Sequence, residues 1–67
     1  MKNVINYTEV DGQIVELTTD SFDHALSAAR HISKSIDSLC VSVTNETVFI
    51  LYERGRQKDM KVGKFKV

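Results

Sequence analysis

This chain of 67 residues suits a single domain. A domain of that size buries only roughly 60% of the surface its unfolded chain exposes, so an enclosed substrate pocket would take away part of a small core. Size therefore favours a gripping surface over a catalytic cavity. Nine cations balance nine carboxylates, but unevenly. Residues 1–52 hold Lys2, Arg30 and Lys34 against seven carboxylates, and residues 53–67 hold six cations against Glu53 and Asp59. Such asymmetry points to a basic patch for an anionic partner.

The lone thiol, Cys40, cannot close an internal disulfide, which points to a reducing cytosol. Residues 1–7 lack the apolar run of a signal peptide. No stretch approaches the roughly 20 apolar residues of a membrane span, so no membrane partner is expected.

Residues 4–18 read as a β-hairpin about Asp11-Gly12-Gln13, since Asp-Gly is a strong turn signal. A two-residue loop would mix charged and apolar groups on both faces. A three-residue loop pairs Val10 with Ile14 and Tyr7 with Leu17, and it gathers Ile5, Tyr7, Val15 and Leu17 on one face.

Residues 21–36 read as a helix, with Asp20 as N-cap and Asp23 in the first turn. Phe22, Leu26, Ala29, Ile32 and Ile36 form one helical stripe flanked by Ala25 and Ala28. Asp23, His24, Ser27, Arg30, His31 and Lys34 occupy the opposite face.

Residues 39–67 read as three strands. A two-residue loop, Asn45-Glu46, pairs Val43 with Val48, Val41 with Ile50 and Leu39 with Tyr52, all on the core face. Gly55 marks the next turn. Met60 and Val62 then share one face of the last strand, and a bulge at Gly63 would bring Phe65 and Val67 back to the core side. The expected fold is α+β, in the order ββαβββ: a curved antiparallel five-stranded sheet with one helix on its concave face.

The residues offer little catalytic chemistry. His24 and His31 lie seven positions apart on the helix, roughly 10 Å at about 1.5 Å per residue, too far to share an ion. Asp23, His24 and Ser27 fall on one helical turn, but nothing supplies an oxyanion hole. Cys40 has no neighbouring base in sequence and reads as a small apolar residue facing away from the helix. No glycine-rich phosphate loop is present. No catalytic residue, metal or cofactor is expected.

The outer sheet face is more informative. Phe49 and Leu51 point away from the helix beside Cys40, with Arg54, Arg56 and Lys58 at the adjoining turn. Lys61, Lys64 and Lys66 join them if Gly63 is a bulge. Apolar residues rimmed by cations form interaction patches. Three readings follow: a homodimer interface or cover by the chain's own tail, an acidic or nucleic-acid-bearing protein partner, and direct nucleic-acid binding through phosphates plus one aromatic.

Residues 17–34, Leu17-Thr18-Thr19-Asp20-Ser21-Phe22-Asp23-His24-Ala25-Leu26-Ser27-Ala28-Ala29-Arg30-His31-Ile32-Ser33-Lys34, resemble small phage-type proteins. In these, a strand ending in Thr or Ser leads into an alanine-rich helix with a basic end. One such group is a small anti-CRISPR family that inhibits the type I-F surveillance complex and shares this ββαβββ layout. Members often carry a tryptophan near the C-terminus; this chain has none. The resemblance implies a phage protein in the host bacterial cytoplasm that binds a nucleic-acid-handling protein or ribonucleoprotein complex and blocks its target DNA. It makes Arg30 and Lys34 candidate contacts.

Overall fold

The computed structural model describes residues 2–35 and 40–65. Five strands and one helix follow the expected order: β1 (Asn3–Thr8), β2 (Ile14–Thr19), α1 (Phe22–Ser35), β3 (Cys40–Thr44), β4 (Val48–Glu53) and β5 (Arg56–Val62). The strands form one curved, unclosed antiparallel sheet in the order β2-β1-β3-β4-β5. The first hairpin therefore joins the meander through β1, and β2 and β5 are the two edges.

Helix α1 covers one face of this sheet. The core is Ile5, Ala25, Ala29, Val41, Val43, Ile50 and Tyr52, with Tyr7, Leu26, Ala28, Ile32 and Val48 packed around it. The helical stripe is rotated from the one its larger residues suggest. Its centre is the line Ala25, Ala29 and Ser33, all fully buried, while Phe22 is partly exposed. Small side chains at i, i+4 spacing let the helix backbone settle close to the sheet, and the larger Leu26 and Ile32 fill the flanks. Ile36 lies outside the described residues, as do Leu39, Lys66 and Val67. Asp23, His24, Ser27, Arg30, His31 and Lys34 are all exposed.

The helix cap also differs from expectation. Ser21, not Asp20, accepts the N–H of His24 on its hydroxyl at 3.2 Å, while Thr19 accepts the N–H of Ser21. The sequence carries four capping-type residues in a row, Thr18 to Ser21, and helix entry selects the one three residues before a free N–H.

The first two hairpins keep their expected faces but shift register by two residues. In the first, Ile5 opposes Leu17 and Tyr7 opposes Val15. The three-residue loop is Val10-Asp11-Gly12, because Gly12 takes the positive φ of its last position, 91°. In the second, Val41 opposes Tyr52 and Val43 opposes Ile50. The turn moves to Glu46-Thr47 because Asn45 serves as its acceptor. Its side-chain oxygen takes the N–H groups of Thr47 and Val48 at 2.8 and 2.9 Å.

The third hairpin turns on Arg54-Gly55, with φ of 56° and 77°, the left-handed pair that a two-residue loop requires. The register then slips between Leu51 and Tyr52, where Lys58 is the extra residue. Phe65 is not restored to the core side as a bulge at Gly63 would require; the strand's bulge lies instead at Lys58. It returns Met60 and Val62 to the helix side, opposite Ile50 and Val48, and sends Lys61 to the outer face opposite Phe49.

Candidate binding surface

Helix α1 ends beside the β4–β5 turn, held by a buried hydroxyl. Ser33 Oγ accepts the N–H of Gly55 at 2.9 Å and donates to the carbonyl of Arg30 at 2.9 Å. A Cβ on Gly55 would stand 3.2 Å from the Cβ of Lys34, so the side chain of Lys34 lies directly on the turn. The guanidinium of Arg30 sits over the ring of Tyr52 at 5.7 Å. Lys34 from the helix thus packs on the Arg54–Gly55 turn, with Arg30 one helical turn behind it, while Arg56, the ladder partner of Glu53, and Lys58, bonded to that carboxylate, lie on the outer face at the same end of the molecule.

The one ion pair among the described residues is Lys58 to Glu53 at 3.2 Å. Glu53 also accepts from the thiol of Cys40 at 3.5 Å. The hydrogen bond from Lys58, then that from Cys40, then the charges of Lys58 and Arg54 hold its carboxyl below the usual carboxylate range. Lys58 is thus compensated, while Arg30, Lys34, Arg54 and Arg56 form no ion pair among the described residues. An open concavity of about 480 Å³ at this end is lined by Glu53, Arg54, Arg56 and Lys58.

The outer face divides the expected basic arm. Phe49 and Leu51 lie there half-buried, and with Asn6, Thr8, Cys40 and Ser42 they line a second open depression of about 440 Å³. Phe65 does not return to the core side. Its ring packs against Phe49 at a centroid distance of 6.3 Å, tilted by 41°, after Gly63 and Phe65 donate backbone bonds to Thr47 and Glu46. The chain's own tail therefore covers part of Phe49. Lys61 flanks that pair, and exposed Lys64 lies just beyond the strand. Lys66 lies outside the described residues. The cations thus form two groups, one at the β4–β5 turn and one beside the phenylalanines.

Comparison with known proteins finds no match. No family model, curated protein or solved structure corresponds to this chain. The function must be argued from the surface alone. Among the described residues, no three metal-ligating side chains converge, and His24 and His31 are exposed on the helix. No described helix is long and apolar enough to cross a membrane.

Two residues that matter here escaped the sequence reading. Ser33 is one i, i+4 step beyond Ala25 and Ala29, so its spacing marked it as buried, but a polar side chain reads as solvated. The bulge expected at Gly63 would place Phe65 on the core side; its ring packs on Phe49 of the outer face instead.

Proposed function

We propose that the chain is a non-enzymatic binding domain whose basic end docks on nucleic-acid phosphates. One observation carries this reading. Arg30 and Lys34 are separated in sequence from Arg54 and Arg56, yet the Ser33–Gly55 bond sets the helix end against the β4–β5 turn, and cations from both sides of the sheet gather at this end without an ion pair of their own among the described residues. Concentrated, unpaired guanidinium and ammonium groups suit a polyanion. A protein mimic of DNA would need carboxylates where this end has cations.

The test is binding of a short labelled duplex by fluorescence anisotropy across a salt series. Each phosphate contact adds roughly 0.9 to the log–log salt slope. The double variant K34Q/R56Q should weaken binding and flatten the slope by nearly two such increments. A wild-type slope near zero sinks the reading. Arg30 is a poor choice for this test because its guanidinium also covers Tyr52.

The narrower reading is an anti-CRISPR-like inhibitor that blocks target DNA binding by a bacterial surveillance complex. Its support is the resemblance at residues 17–34, whose basic positions Arg30 and Lys34 belong to this end. The alanine spacing carries less weight, because close packing of the helix accounts for it. If purified chain leaves DNA binding by a type I-F surveillance complex unchanged in a gel shift, the narrower reading fails and the wider one stands.

A further inference from the structure

Both edges of the sheet end in uncovered apolar groups, but the two edges are built differently. On β5 all seven residues are exposed. Met60 and Val62, 50% and 77% exposed, face the helix side, where Phe22 is also 37% exposed. Phe22, Leu26, Val48, Ile50 and Met60 line an open groove of about 610 Å³ between helix and edge.

Backbone hydrogen bonds decide what each edge can accept. In an antiparallel ladder they alternate, so an edge strand points every second residue's N–H and C=O outward. On β2, the bond from Glu9 N–H to Gln13 O sets the alternation and leaves Ile14, Glu16 and Thr18 pointing out. On β5, the bond from Gly63 N–H to Thr47 O sets it and leaves Met60 and Val62 pointing out. The N–H of Met60 is in fact taken up by its neighbour, Asp59 Oδ1, at 2.8 Å. The outward residues of β2 have their side chains on the outer face, and those of β5 on the helix face. Partners bonded across an antiparallel pair share a face, so antiparallel joining of β5 of one copy to β2 of another throws the two helices to opposite sides. β2 and β5 run parallel in the sheet, so repeating copies would meet in parallel, with the helices aligned but held by the slanted bonds of the slightly weaker parallel pairing.

Two-fold pairing of like edges gives an antiparallel ladder that closes with two copies. Around β2 the charged groups Asp11, Glu16 and Asp20 all carry the same sign. On β5, lysines and a bulge guard the edge against indiscriminate pairing. One register turns that guard into attraction. With Met60 on the two-fold, each Asp59 stands beside Lys61 of the second copy on the outer face, twice over. The two Met60 residues exchange both backbone bonds.

We propose that β5 pairs with β5 of a second copy of this chain in that register, giving a weak, concentration-dependent dimer with both helices on one side. Asp59 then gives up the N–H of Met60 to the backbone of the second copy and turns its carboxylate to Lys61. The groove beside Phe22 is closed at its open edge. This proposal does not depend on the nucleic-acid reading.

Charge reversal tests it by sedimentation equilibrium of the full chain over a concentration series. D59K and K61D should each weaken dimerisation by about tenfold, since each places two like-charged pairs across the two-fold. The double variant D59K/K61D restores opposite charges and should recover the wild-type dimer. All these side chains are exposed, and circular dichroism of each variant checks that the monomer is folded. The proposal is overturned by a wild-type monomer at every concentration, by a double variant no better than the single ones, or by a dimer that L17K on β2 disrupts and D59K does not.

Discussion

The hydroxyl of Ser33 accepts the backbone N–H of Gly55 across 22 residues of sequence, and this contact sets where the helix ends relative to the β4–β5 turn. Ser33 is fully buried, so its replacement by alanine leaves that N–H without a partner where water does not readily reach. S33A should cost about 1–3 kcal/mol in urea denaturation. Ser35 is the control. Its hydroxyl bonds the carbonyl of His31 at an exposed site, so S35A should stay within about 0.5 kcal/mol of wild type. Equal effects from the two would show that the Ser33–Gly55 bond is not a structural anchor.

Arg54 sets stability against binding. It is the one residue other than glycine with positive φ among the described residues, at 56°. A side chain there costs roughly 1–2 kcal/mol relative to glycine. R54G should recover part of that, offset by the entropy of a freer unfolded chain, for a net gain below about 1 kcal/mol. The same change removes a cation from the basic end, so duplex affinity and salt slope should both fall. A variant more stable than wild type but weaker in binding is the expected signature. Unchanged binding would remove Arg54 from the contact surface.

Much of this architecture was readable from side-chain period. Alternation along Val41, Val43, Ile50 and Tyr52 placed them on one face, and any register slip of two residues preserves that face. The slips themselves were not readable, because they depend on which residue of a turn supplies φ or an acceptor. Gly12 had to end its loop, and Asn45 had to precede its turn. A bulge was expected at Gly63 to restore Phe65 to the core side; the strand bulges at Lys58 and Phe65 packs on Phe49 instead, because the face of a residue beyond the strand is set by its tertiary contact and not by period. The docking of the helix end, with Arg30 and Lys34, against the β4–β5 turn depends on a tertiary hydrogen bond that no local pattern encodes.

Asn45 is nearly fully buried and connects three segments. Its Oδ1 accepts from Thr47 N–H, Thr47 Oγ1 and Val48 N–H, and its Nδ2 donates to Asn3 Oδ1 at 3.0 Å. Asn3 in turn donates to the carbonyl of Thr19 at the helix entry. N45A strands several of these groups at once, and about 1–3 kcal/mol for each buried group exceeds what a small core can spare. The variant should be largely unfolded by circular dichroism at room temperature. N45D tests the division of labour. It keeps the turn acceptor and loses the donor to Asn3, so it should also destabilise. A fully stable N45D would show that the link to Asn3 is dispensable.

Glu53 connects pH to the basic end. Its carboxyl titrates below the ordinary value of 4.5 in the folded chain, chiefly through the hydrogen bond from Lys58, then that from Cys40. A carboxyl that ionises more readily folded than unfolded stabilises the fold above its unfolded value. That contribution declines once the unfolded chain begins to take up the proton, and it is gone when the pH has fallen through the lowered folded value. Stability should therefore drop below about pH 4.5, and the drop should be smaller in E53Q and at high salt, because the group is exposed and screened. The same substitution removes the carboxylate nearest the unpaired cations. At neutral pH, E53Q should bind the labelled duplex more tightly than wild type, with Lys58 freed to contact phosphate. If E53Q instead binds more weakly, Glu53 holds Lys58 in its binding position, and the pair Glu53–Lys58 belongs to the site as a unit.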